Sequence, residues 1–152
     1  MPLSYFSFPL PTKSAVSKAQ KALTTATLPH TFLKAGEWGL VIAEGVMDLD
    51  DLENAICDPL SAVKIDPLPF LPERPDFTDH LLVTMKSGQR GSLDNRLELK
   101  YDYGSWSLMD LDAYESRVSW LLSMPPRAMG NLATVRELAQ PLAIQVEKFE
   151  AI

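Results

Sequence analysis

The sequence predicts an α+β protein: a first half ordered β-α-β-β-α-β, then a three-stranded antiparallel hairpin unit and two C-terminal helices. Three observations carry that expectation. Ser4-Tyr5-Phe6-Ser7-Phe8 is an aromatic, β-prone run closed by Pro9 and Pro11. Ala15, Val16, Ala19, Ala22, Leu23 and Ala26 recur at helical spacing and form one apolar stripe. Finally, Gly36-Glu37-Trp38-Gly39-Leu40 with Met47-Asp48-Leu49-Asp50 returns as Gly104-Ser105-Trp106-Ser107-Leu108 and Met109-Asp110-Leu111-Asp112, which marks two similar strand-to-helix junctions.

In order along the chain, the first strand is followed by a helix with Thr12 or Ser14 as N-cap, stopped at Leu28-Pro29. His30 to Lys34 and Gly39 to Ala43 read as a hairpin around Gly36-Glu37-Trp38. Asp48 is placed to cap a second helix whose Leu49, Leu52, Ala55 and Ile56 share a face, while Asp50, Asp51 and Glu53 suit the positive end of its dipole. Asp58-Pro59 ends that helix, and Ala62 to Ile65 is a short last strand. This element order resembles the ferredoxin-like plait, a superfold that hosts many unrelated functions.

Residues 1–66 are therefore read as a plait, 67–75 as a connector and 76–152 as a hairpin-plus-helix unit packed with the first half into one body. The connector holds Pro67, Pro69, Pro72 and Pro75, whose rings hold the backbone extended. Beyond it, Leu81 to Met85 is a strand, and Arg96 to Tyr103 alternates, with Leu97, Leu99, Tyr101 and Tyr103 on one side. Trp106-Ser107-Leu108 makes a third strand. Asp110 then caps a helix to Ser123 with Leu111, Tyr114, Val118, Leu121 and Leu122 as its apolar face. A last helix starts at Asn131 and is kinked or divided by Pro141.

Of the 152 residues, 46% are hydrophobic and 22% charged, the balance of an ordinary globular protein with a real core. The net charge of −6 repels phosphate backbones and disfavours non-specific nucleic-acid binding. The single Cys57 excludes an internal disulfide and, with only His30 and His80, leaves no zinc site. Met1-Pro2-Leu3-Ser4-Tyr5 lacks a basic leader and no apolar run reaches membrane-spanning length, so the expected setting is the cytoplasm.

One constellation suggests chemistry. Pro75-Asp76 followed by Glu98-Leu99-Lys100 resembles the PD-(D/E)xK motif of the restriction-endonuclease-like nucleases. The resemblance implies that Asp76 and Glu98 bind Mg²⁺ and that Lys100 orients the attacking water. A strand over 96–103 would set Glu98 and Lys100 on one face, as that role requires. Cross-strand charge pairing in solvent explains the same residues without catalysis. The acidic clusters Asp48-Leu49-Asp50-Asp51 and Asp110-Leu111-Asp112 lack the Gly and distal Glu of a calcium loop and read as helix starts.

The aromatic residues Tyr101, Tyr103, Trp106 and Trp38 gather near turns, and such residues are favoured at protein interfaces; filling the protein's own core is the competing placement. The functional expectation is thus a non-enzymatic protein-binding factor, a regulator, inhibitor or immunity-type protein with an acidic, aromatic-containing surface and no metal or cofactor. A Mg²⁺-dependent nuclease and a small-ligand sensor are the alternatives. A terminal helix after Pro141, short and amphipathic, would offer a route to a homodimer.

Overall fold

The computed structural model describes residues 3–9, 12–44, 56, 60, 63–65, 79–86, 88–101, 106–114, 117–124 and 131–152. They divide into two compact units, Met1–Glu73 with Glu150–Ile152, and Arg74–Phe149. Both are mixed α+β.

The first unit contains β1 (Leu3–Pro9), α1 (Lys13–Thr25), β2 (His30–Ala35), β3 (Trp38–Glu44) and β4 (Val63–Ile65). Its antiparallel sheet runs β4-β1-β3-β2 and is extended at the β2 edge by β9 (Glu150–Ala151). That four-strand order is the one a βαββαβ plait produces. Phe6, Val41 and Phe32 lie in register on one sheet face, and Val16, Ala19 and Leu23 of α1 close over it. Ile56 and Leu60 complete this core. The helix expected from Asp48 otherwise lies outside the described residues, as do Cys57 and the connector 67–75.

Local chemistry explains the joints of this unit. Thr12 caps α1, its hydroxyl accepting from the Ala15 N–H at 3.3 Å. At the other end Leu28 N–H reaches back to the Leu23 carbonyl (3.1 Å), which forces Thr27 to φ +58°. A β-branched residue is strained there, so Thr27→Gly should raise the melting temperature, by about 1 kcal/mol of stability; a lower melting point would refute this. Between Ala35 and Trp38 the loop is only two residues long, and Gly36 supplies the positive φ (+54°) that tight hairpins use.

The second unit contains β5 (Asp79–Lys86), α2 (Arg90–Lys100), β6 (Ser107–Tyr114), β7 (Arg117–Met124), α3 (Asn131–Ala139), a 3₁₀ turn (Gln140–Leu142) and β8 (Gln145–Lys148). Its sheet runs β6-β7-β5-β8, all antiparallel. Numbered within the unit, this is again the order 4-1-3-2. Leu81, Val83 and Met85 of β5 join Trp120, Leu122 and Met124 of β7, Leu93 and Leu97 of α2, and Val135 and Ala139 of α3 in one core.

Three expectations for this half are corrected. The residues from Arg96 belong to a helix, not a strand, because Leu93 and Leu97, four apart, both bury against the sheet. The apparent alternation included Leu99, which is 90% exposed. The expected helix from Asp110 to Ser123 is instead the β6–β7 hairpin. Asp110 lies within β6 and caps nothing, while β7 is a central strand paired on both edges and carries apolar residues toward both faces. Finally, α3 ends at Ala139. Pro141 cannot continue the hydrogen-bond ladder, Ala143 turns through φ +54°, and the residues beyond form β8 rather than a second helix.

The repeated Trp phrase is consequently not a structural repeat. Trp38 opens the third strand of its unit, whereas Trp106 precedes the second strand of the other.

Candidate functional site

The two described residues of the nuclease pattern, Glu98 and Lys100, do not share a face. Glu98 and Lys100 are both exposed on α2, where two residues of separation rotate them about 200° apart. Asp76 lies outside the described residues. The neighbourhood of Glu98 is an ordinary helix surface: Arg90 Nε approaches Asp94 Oδ2 at 3.6 Å one turn along. The Asp94 carboxyl is raised above its usual range by partial burial, with Arg90 opposing the shift and Glu98 adding to it.

The aromatic candidates are used differently from a partner-facing cluster. Tyr101 and Trp106 are each only 8% exposed and belong to the second unit's core. Tyr101 sits where α2 ends, its N–H bonded to the Leu97 carbonyl at 2.7 Å. Trp38 is half-buried at the start of β3, and Tyr103 lies outside the described residues. Burial thus removes Tyr101 and Trp106 from the surface that the sequence suggested for them. The helix expected to carry a homodimer contact after Pro141 is absent, because β8 pairs with β5 and buries Val146 in its own unit.

Three features were not anticipated. The first lies on the sheet face of the second unit opposite α2 and α3. There His80, Ser123 and Ser107 lie in register on adjacent strands, and all are buried. His80 Nδ1 and Ser123 Oγ are 2.8 Å apart. Burial lowers the His80 pKa to about 4, although the neighbouring Asp79 carboxylate pulls it upward. A neutral imidazole beside a hydroxyl invites comparison with a nucleophile and its base. Ser123 is, however, fully buried, so no substrate reaches its oxygen. The pair is an internal polar brace. Asp79, on the other face, accepts from Asn131 Nδ2 at 3.0 Å and ties the start of β5 to the start of α3.

The second feature is a groove of about 590 Å³ between α3 and β8, lined by Arg136, Glu137, Gln140, Ile144, Gln145, Val146 and Glu147. The third is the outer face of α1. Opposite its buried Val16, Ala19 and Leu23 it exposes Lys13, Lys18 and Lys21, and the helix contains no acid. A net charge of −6 concealed this local reversal, though the lysines were visible in the sequence.

Among the described residues, no group of His, Cys, Asp and Glu is arranged to hold a metal ion. No helix of the described residues is long and apolar enough to cross a membrane.

No family model matches the chain, and no curated protein does. Among solved structures, it is similar to a candidate glycine cleavage system transcriptional repressor, at 13% identity and a TM-score of 0.37, over 99% of this chain and 96% of that one. It is also similar to a protein of unknown function from Galdieria sulphuraria, at 12% identity and a TM-score of 0.34, over 99% and 97%. Likeness at this level does not bear on function.

Proposed function

We propose that this is a non-enzymatic binding factor, built of two ferredoxin-like plaits and acting as a regulator or inhibitor of another protein. The observation that carries the reading is the placement of Glu98 and Lys100 on diverging sides of α2. The only catalytic pattern suggested by the sequence therefore lacks the strand geometry on which its resemblance depends. The His80–Ser123 pair supports the same reading because both residues are buried.

Recognition would then depend on surface charge, with the basic face of α1 and the acidic residues elsewhere offering separate patches to a partner. The groove between α3 and β8 favours a second reading, a sensor of a small ligand. It is walled by Arg136, Glu137 and Glu147 and so presents both signs of charge.

Calorimetry with MgCl₂ and MnCl₂, together with a plasmid-cleavage assay, separates binding from nuclease function. The wild type should neither bind the ions measurably nor cut. Replacing Glu98 and Lys100 together by Ala should change stability by less than about 0.5 kcal/mol, as for exposed helix positions without special contacts. Metal-dependent cleavage by the wild type, lost in Asp76→Asn, would overturn the proposal.

A further inference from the structure

We infer that Arg136 locks the β8 edge of the second unit's sheet against strand addition by a second copy of this chain. Phe149 N–H donates to the His80 carbonyl at 2.8 Å, which sets the phase of the ladder by turning the backbone of Phe149 toward β5. Antiparallel ladders alternate, and the register Leu82↔Glu147 and Thr84↔Gln145 therefore turns Glu147 and Gln145 toward β5. Val146 and Lys148 consequently direct their N–H and C=O groups outward, away from the sheet. Such a row is a template for another strand.

Arg136 interrupts it. Projecting from α3, its Nε donates to the Val146 carbonyl at 3.2 Å, occupying an acceptor that an added strand would need. The opposite edge is treated in the same way. Carrying the alternation through β7 to β6 turns Leu108 outward, and Arg90 Nη2 donates to the Leu108 carbonyl at 3.2 Å. Arg90 is itself held by its approach to Trp120, 4.1 Å from the ring centroid, and by Asp94. Arg136 has no such aromatic anchor among the described residues, and it borders the open groove. Its lock is the weaker of the two.

A second β8 strand is the occupant that fits. With Val146 facing Val146 of the other copy, the two residues exchange both outward bonds, and Gln145 faces Glu147, so no like charges meet. The device concerns the edge alone and stands independently of the partner proposed above.

Arg136→Met retains the aliphatic stem but removes the donor, at an exposed position. Sedimentation velocity over a concentration series should show a shift from one chain to two, absent in the wild type. Native-state amide exchange should show slowing at Val146 and Lys148 that grows with concentration. Adding Lys148→Pro, which deletes an outward N–H without touching the ladder to β5, should restore the single chain. Three results would overturn the inference: a variant that stays monomeric with unprotected Val146 and Lys148 amides, dimers that Lys148→Pro leaves intact, or a wild type that already shows the concentration-dependent protection.

Discussion

Gly39→Ala is expected to destabilise the first unit by about 3 kcal/mol, at the upper end of the range for overpacking a core. Gly39 lies on β3 directly opposite Phe8 of β1, and a Cβ there would fall inside the Phe8 ring, overlapping Cδ2, Cε2 and Cζ. The ring has nowhere to go. Phe8 is completely buried and packs at a tilt against Phe32, with centroids 6.2 Å apart. Relief would require moving the strand or rearranging two aromatic rings. For a unit of this size the melting temperature should fall by roughly 10–20 °C. Phe8→Leu removes part of the obstruction, so the double variant should be less unstable than the sum of the two single changes. An unchanged melting point for Gly39→Ala, or strict additivity with Phe8→Leu, would show that the close approach does not constrain the unit.

Acid should weaken the second unit through His80. With a folded pKa of about 4 against about 6.5 when unfolded, the imidazole is neutral in both states above pH 6.5 and makes no pH-dependent contribution there. As pH falls below 6.5 the unfolded chain takes up a proton that the buried ring refuses. Stability therefore declines until the folded ring also titrates, near pH 4. The loss over that window is about 3 kcal/mol, since each unit of pKa difference is worth about 1.4 kcal/mol. Denaturant unfolding at pH 7, 5.5 and 4 should show the decline in the wild type. It should be smaller by about that amount in His80→Gln, which can still pair with Ser123 but does not titrate. Equal declines in both proteins would assign the acid sensitivity to the carboxylates instead. An NMR titration gives a second check, with the His80 ring expected to remain neutral at pH 5.

How much was legible differed between the halves. The aromatic run ended by prolines, the alanine-rich stripe and the glycine-turned hairpin are local patterns, and β1, α1, β2 and β3 follow them within a residue or two. In the second half the same kind of reasoning failed where two periods fitted one segment. Leu97, Leu99 and Tyr101 satisfy a period of two; Leu93, Leu97 and Tyr101 satisfy a helical one, and the sheet selected the second by burying Leu93 and Leu97. Val118, Trp120, Leu122 and Met124 alternate along β7, but the apolar Leu121 between them makes a helix equally readable. Alternation over those four residues was the available signal for the strand.

The candidate sites followed the same division. Residue types were visible: the paired Glu98 and Lys100, the aromatics, the lysines of α1. Their roles depended on which way the backbone turned them. A helix separated Glu98 from Lys100, and burial claimed Tyr101 and Trp106. The meeting of His80 with Ser123, and of Arg136 with Val146, joins residues on different elements and leaves no periodic trace in the sequence. By itself, then, the sequence determined the α+β class, β1 to β4 and α1 of the first half and the start of the last helix, because propensity, capping and turn chemistry act over a few neighbouring residues. Only the tertiary structure decided that Ser107–Tyr114 and Arg117–Met124 pair as antiparallel strands and that the chain after Pro141 adds a strand to the same sheet. Strand pairing is a contract between distant segments, and its free energy comes from burial that neither segment achieves alone.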